Sequence, residues 1–215
     1  MTDSNTPSIA IITGSSRPNR IGHHVAALVA EALDGISKSS NVTLSNIDIA
    51  TFSLPVFDEP VHPAMVPTYA QFTHAHSLAW SSEIAKHSGY ILVTPSYNQG
   101  PPGGVKNAID YLWNDIKGKP WCIVSYGIGD GGKAASDSLK LSLSCAAVVV
   151  ETRPMLAFNG EGKNEMGIAK DVQLAAGGQL GEASQKDWEG KKGEFVKGFE
   201  EVVEAVRKNA SGKKE

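Results

Sequence analysis

The chain is short of the features that mark most specialised protein classes. Its 215 residues include two cysteines, Cys122 and Cys145. Two thiols make no disulfide framework, so a reducing, cytoplasmic setting is the expectation. Cys122 falls in an apparent core strand and Cys145 in an apolar helix end, and both read as buried, inert thiols. Positive charge is not in excess: 20 lysines and arginines stand against 23 acids, for a net charge of −3. That excludes a nucleic-acid binder working through a broad basic face. It is also milder than a strongly acidic electron carrier needs for docking on basic partners. No apolar run approaches the roughly 18 residues that cross a bilayer, and residues 1–8 lack the basic and apolar regions of a secretory signal. Neither nucleic acid nor membrane is expected as a partner.

Catalytic signatures are missing too. There is no G-x-x-x-x-G-K-[ST] phosphate loop, no G-x-S-x-G nucleophile elbow and no cluster at zinc spacing. His23 and His24 are adjacent on a helix, and His74 and His76 are two apart, so neither pair is expected to share a face. Asp48, Asp58 and Glu59 read as strand-end and loop solvation.

What is present is an ordinary globular composition, 41% hydrophobic and 20% charged, with short apolar runs alternating with amphipathic segments. Strands are expected at 8–13, 42–49, 90–94, 121–125 and 147–151, the last resuming at 155–158. Helices are expected at 21–33, 68–87, 104–114, 133–145 and 188–208. The first run, Ile9-Ala10-Ile11-Ile12, is apolar throughout, as a central parallel strand buried on both faces requires. Residues 51–67, with four prolines, form a long loop. Residues 159–183 are glycine-rich and read as another loop, with a short strand around 167–174. Strand–helix alternation repeated five times implies one α/β domain over 8–208, between disordered tails at 1–7 and 209–215. Its parallel sheet is expected in the order 2-1-3-4-5.

In that order the loops after strands one, three and four share one rim, where such sheets bind ligands. They are the three most unusual loops of the chain. The first, Gly14 to Gly22, offers Ser15, Ser16, Arg17 and Arg20 at a helix start, a natural place for a phosphate. The second, Pro95-Ser96-Tyr97-Asn98, suits the edge and face of a flat heterocycle. The third, Gly127 to Gly132, formally matches G-x-G-x-x-G, with Glu151 beyond it. It follows the fourth strand rather than the first, so it is read as a place where backbone approaches a planar ligand closely. Lys106 opposes the dipole of its helix. It either serves the site or pairs with Asp110, one turn on.

These residues carry a resemblance. Gly14-Ser15-Ser16-Arg17 is similar to the G-S-x-R phosphate turn of the NAD(P)H-dependent FMN reductases. Pro95-Ser96-Tyr97-Asn98, continuing through Pro102-Gly103-Gly104-Val105-Lys106-Asn107-Ala108-Ile109-Asp110, resembles that family's P-x-Y-N…P-x-x-L-K-N-A-I-D segment. Gly104 stands where the family commonly has a larger residue, and 159–183 is longer than its usual tail. The resemblance implies a flavodoxin-like three-layer fold, bound FMN and NADPH or NADH as co-substrate. Electrons would pass by ping-pong hydride transfer to quinones, azo compounds, metal ions or free flavin, and a homodimer or homotetramer would be expected. Carried over, Ser15, Arg17 and Arg20, with the backbone of Ile21, would hold the phosphate. Pro95, Ser96, Tyr97 and Asn98 would line the ring, and Ser125, Tyr126 and Gly127 would close its other side. No catalytic side chain and no metal are implied. The rival readings are a flavodoxin-type electron carrier, a redox-sensing flavoprotein and a flavin-free dehydrogenase using the glycine-rich third loop.

Overall fold

The computed structural model describes residues 6–67 and 71–211. Its centre is a parallel sheet of β1 (Ser8–Thr13), β2 (Thr43–Asp48), β3 (Gly89–Pro95), β4 (Pro120–Gly127) and β5 (Val148–Val149). They lie in the order β2-β1-β3-β4-β5, as the alternation predicts, and β6 (Met155–Ala157) pairs with β4 as well. The last strand is thus split. Val148 and Val149 pair with Pro120 and Trp121 low on β4, and Met155 to Ala157 pair with Ser125 to Gly127 at its upper end.

The three central strands are long apolar runs because both of their faces are covered. Ile9, Ile11, Ile91, Val93, Cys122 and Val124 turn toward α1 (Gly22–Ser39) and α7 (Lys192–Ser211). Ala10, Ile12, Leu92, Trp121 and Ile123 turn the other way, toward α2 (Ala75–Ala85), α3 (Gly103–Asp110) and α4 (Lys133–Leu143). On α7 the buried residues Phe195, Phe199, Val202 and Val206 repeat at helical spacing and seal one side. The outcome is three layers with the rim of β1, β3 and β4 free for loops.

Several expectations are corrected. The second helix starts at Ala75 rather than near residue 68. The buried carboxylate of Glu59 accepts the amides of Thr73 and His74, both at 2.9 Å, and His74 is extended. Glu59 is therefore a helix anchor rather than a solvating acid. Tyr69, read as part of that helix, lies outside the described residues. The strand expected around 167–174 is instead helix α5 (Lys170–Ala176). The single final helix is two, α6 (Glu182–Glu189) and α7, broken at Gly190–Lys191. Helix α7 runs on to Ser211. Cys145 is exposed, because α4 ends at Leu143 and leaves it past the buried stripe; Cys122 is buried as expected.

Candidate cofactor site

The turn after β1 is held open by its own chain. The amide of Gly14 donates to the Val93 carbonyl at 2.8 Å and ties the turn to β3. Gly14 packs so closely there that a Cβ would come within 2.8 Å of Val105 Cγ2. Beyond it, the amides of Ser15, Ser16, Arg17, Asn19, Arg20 and Ile21 donate no hydrogen bond among the described residues. Helix α1 begins there with no side-chain cap. Ser15 is fully buried, and its Oγ makes no well-formed hydrogen bond; its polar neighbour is the Tyr126 hydroxyl. An orphaned buried hydroxyl costs about 1–3 kcal/mol. Its persistence beside a row of free donors at a helix N-terminus is the signature of an anion site.

The two arginines divide their work. Arg17 is exposed and lies over the Tyr97 ring, 5.3 Å from its centroid. Arg20 donates through Nη1 to the Ser15 carbonyl at 2.9 Å and through Nη2 to Asp48. Both terminal nitrogens of Arg20 are thus engaged within the protein, and Asp48 is a structural partner rather than strand-end solvation.

The loop after β3 makes a tight hairpin. Tyr97 and Gly100 exchange both backbone hydrogen bonds, at 2.8 and 3.0 Å, across Asn98 and Gln99. Both intervening residues are left-handed, with φ of 49° and 61°, the backbone of a type I′ turn. For Gln99 that conformation costs about 1–2 kcal/mol. The amide of Ser96 is bound to the Tyr126 carbonyl at 2.9 Å. Amides free to read a ring edge therefore belong to Asn98 and Gln99 rather than to Ser96 and Tyr97.

The glycines of the third loop approach their own chain. A Cβ at Gly131 would meet the Leu156 nitrogen at 2.6 Å, and one at Gly132 the Tyr126 carbonyl at 3.0 Å. They close the loop onto β6 and β4, where Ser125 Oγ donates to the Gly131 carbonyl at 2.8 Å. Asp130 accepts the amides of Gly132 and Lys133 and caps α4. This packing accounts for Gly131 and Gly132; Gly127 lines the crevice, and a Cβ at Gly129 would meet nothing within 4 Å.

Between the three loops lies a crevice of about 200 Å³. Arg17, Arg20, Ile21, Pro95, Ser96, Tyr97, Tyr126 and Gly127 line it. Ser15 and Ser125 sit buried behind this surface, and Asn98 is exposed at the turn. The phenol of Tyr126 is pushed well above its ordinary pKa, chiefly by burial, with the neighbouring Ser15 hydroxyl and then the Arg17 and Arg20 charges pulling the other way. It is a neutral wall at physiological pH. The far wall went unread in the sequence: Ile128, Phe158, and Val172, Ala175 and Ala176 of α5. The helical spacing of 172, 175 and 176 was the available signal, obscured by the glycines around it.

Other candidates resolve into structure. Lys106 pairs with Asp110 at 2.5 Å, the bland alternative for that residue. The rings of His74 and His76 stack at 5.3 Å and both approach Asp58. They do come together, because His74 precedes the helix in extended backbone. Those of His23 and His24 lie 4.0 Å apart, tilted by 40°. Among the described residues no group of three His, Cys, Asp or Glu is placed to hold a metal ion, and no helix is long and apolar enough to cross a membrane.

A family model described as NADPH-dependent FMN reductase matches residues 7–161, which contain all three loops. The chain belongs to this family. It is an FMN reductase by descent, an oxidoreductase that works with FMN and a reduced nicotinamide nucleotide. A relative named NAD(P)H-dependent FMN reductase ntnL, from Nectria sp, is 43% identical over 202 residues, covering 93% of this chain and 96% of its own. A quinone reductase of Pseudomonas putida is 30% identical over 143 residues, 63% of this chain and 69% of its own. Among solved structures, the flavoenzyme NAD(P)H:(acceptor) oxidoreductase FerB from Paracoccus denitrificans superposes with a TM-score of 0.56 at 21% identity. It covers 89% of this FMN reductase and 98% of FerB, a likeness of fold. The family match stops short of α5.

Proposed function

We propose that the crevice holds FMN, with its phosphate in the turn from Ser15 to Ile21 and its ring against Pro95–Asn98 and Ser125–Gly127. Electrons then pass from NADPH or NADH to a small-molecule acceptor. The observation that carries this reading is the row of unpaired amides from Ser15 to Ile21, with the buried Ser15 hydroxyl, which makes no well-formed hydrogen bond, beneath it. A phosphate monoester supplies the acceptors that these donors lack, and the residues present fit it.

When bound, FMN supplies the redox chemistry, taking a hydride equivalent from the nicotinamide and later giving two electrons to the acceptor. The chain's residues bind and orient. Ser15 and the turn amides take the phosphate oxygens. Arg17 adds a charge over the Tyr97 face, and Arg20 holds the turn in shape from Asp48. Tyr126, Phe158 and α5 keep water from one side. Asn98 and Gln99 present their amides at the other. No side chain of the crevice is arranged as a general acid or base, and a flavin reduced and re-oxidised in the same crevice would give ping-pong turnover. Quinones fit as acceptors, as the name of the Pseudomonas putida relative has it. Azo compounds, metal ions and free flavin belong to the same reading, as does a homodimer or homotetramer.

The purified protein with FMN decides it. A yellow complex absorbing near about 450 nm, bleached by NADPH and re-oxidised by a quinone, is expected, with parallel lines in double-reciprocal kinetics. Failure to quench added FMN fluorescence would overturn the reading. Binding without fast NADPH oxidation would leave an electron carrier or a redox sensor.

A further inference from the structure

Helix α5 forms a wall of the crevice yet is poorly supported. Val172, Ala175 and Ala176 face the crevice. Behind the helix, Lys170, Asp171 and Leu174 border a cavity of about 570 Å³. Past its end, Gly178 to Leu180 border another of about 630 Å³, which reaches α1 and α7. With open space on two sides, Ala175 is the one residue of α5 in the apolar core, so packing alone holds the helix weakly.

Besides Ala175 in the core and the Lys170 amide on the Glu161 carbonyl at 3.1 Å, what ties it to α6 is one carboxylate. Asp171 is 5% exposed, and its Oδ2 accepts the amide of Ser184 at 2.6 Å. That amide lies in the first turn of α6, where no intrahelical acceptor exists. Gly181, the residue before α6, offers no side-chain cap. Its α-carbon packs so tightly on the carboxylate that a Cβ would fall within 2.1 Å of Asp171 Oδ1. Ser184 is also fully buried, and its Oγ accepts the Asn159 amide at 2.8 Å, where the chain leaves β6. Asp171 thus ties the wall to α6 and, through Ser184, to the strand beside the crevice.

We infer that Asp171 is a positioning residue for FMN: it holds α5 against the crevice, and without it the helix recedes into the space behind and releases the cofactor. This rests on the reading that FMN occupies the crevice. A charge-assisted hydrogen bond to a buried carboxylate is worth enough to hold a seven-residue helix that packing does not.

The test measures FMN dissociation from the holoprotein after dilution into a flavin trap, with hydrogen exchange of residues 169–178 as the structural readout. Asp171→Ala is expected to speed release by about tenfold and to raise exchange in that segment, leaving β1, β3 and β4 protected. Gly181→Ala pushes on the same carboxylate from the other side and should do likewise. Asp171→Asn keeps the volume and one acceptor oxygen, so it reports even if the alanine variant fails to fold; about threefold is expected. Release at the wild-type rate from Asp171→Asn and Gly181→Ala overturns the inference, as does exchange that rises equally across the sheet. A wild-type protein that binds no FMN fails the proposed function instead, and the exchange measurement still reports on the latch.

Discussion

Arg20 reaches across the rim to Asp48, joining the end of β2 to the turn after β1 while its other terminal nitrogen holds the Ser15 carbonyl. Both side chains are largely shielded, at 19% and 27% exposure. The geometry gives Arg20 the task of shaping the turn. Asp48→Ala is expected to weaken FMN binding several-fold and to lower stability by about 1 kcal/mol. Fluorescence titration and urea unfolding check both. Tighter binding in the variant would show that Asp48 competes with the phosphate for Arg20.

Among the described residues Arg17 has no acidic partner, and it lies over Tyr97. Arg17→Ala removes a charge at the phosphate end and leaves the turn's anchors in place. FMN affinity should fall by about tenfold, with thermal stability nearly unchanged. Unaltered affinity would remove Arg17 from the phosphate site.

Gly22, the first residue of α1, sits against the floor of the turn. A Cβ there would approach Ser15 Oγ to 2.1 Å and the Tyr126 hydroxyl to 3.1 Å. Alanine gains about 1 kcal/mol of helix propensity, yet Gly22→Ala should displace the Ser15 hydroxyl and reduce FMN affinity by more than about tenfold. Retained affinity, measured by the same titration, would show that Ser15 is not a phosphate ligand.

The sheet and its rim were legible because the evidence for them is local. Strands β1, β3 and β4 are buried on both faces and read as unbroken apolar runs, and the turn chemistry sits directly beside them. The roles within the rim were not. Nothing near Arg20 in the chain announces Asp48, 28 positions away. The hairpin at Asn98–Gln99 engages the Tyr97 amide, which no motif shows. The loop expected over 159–183 and the single helix expected over 188–208 differ from the structure, because glycines hide the seven-residue α5 and the break between α6 and α7. Tertiary partners such as Asp171 and Ser184 decide that region, since local propensity there is weak.

The thiols should differ sharply. Burial pushes the Cys122 thiol up to about 12, and a Cβ at Gly198 would come within 2.7 Å of its sulfur. Cys145 is exposed at the end of α4. A thiol reagent near neutral pH should label one cysteine quickly in the native protein and both in denaturant, with peptide mapping placing the fast one at Cys145. Fast native labelling of Cys122 would contradict its packing.

Alkaline pH should loosen the fold. Burial, followed by the hydrogen bond to Asp58, raises Tyr111 to about 12; burial raises Tyr90 and Tyr126 as well. Each favours the neutral phenol in the folded state. Their contribution is whole below the ordinary tyrosine pKa of about 10 and is lost as pH climbs toward the folded values. The thermal midpoint should hold from neutral pH to about 10 and then fall, with the tyrosinate absorbance of these residues appearing alongside unfolding. Full tyrosine ionisation at pH 10 in a folded protein would contradict this.

The split fifth strand has a further consequence. Because β6 runs beside the last three residues of β4, the chain leaves the sheet at Phe158, already on the crevice's lip. Residues Asn159 to Gly181 add no rung to the ladder and are tied back to α6 at Ser184. A longer, shorter or differently shaped insert at this point would redraw one wall of the crevice while every strand pairing of the parallel scaffold keeps its register.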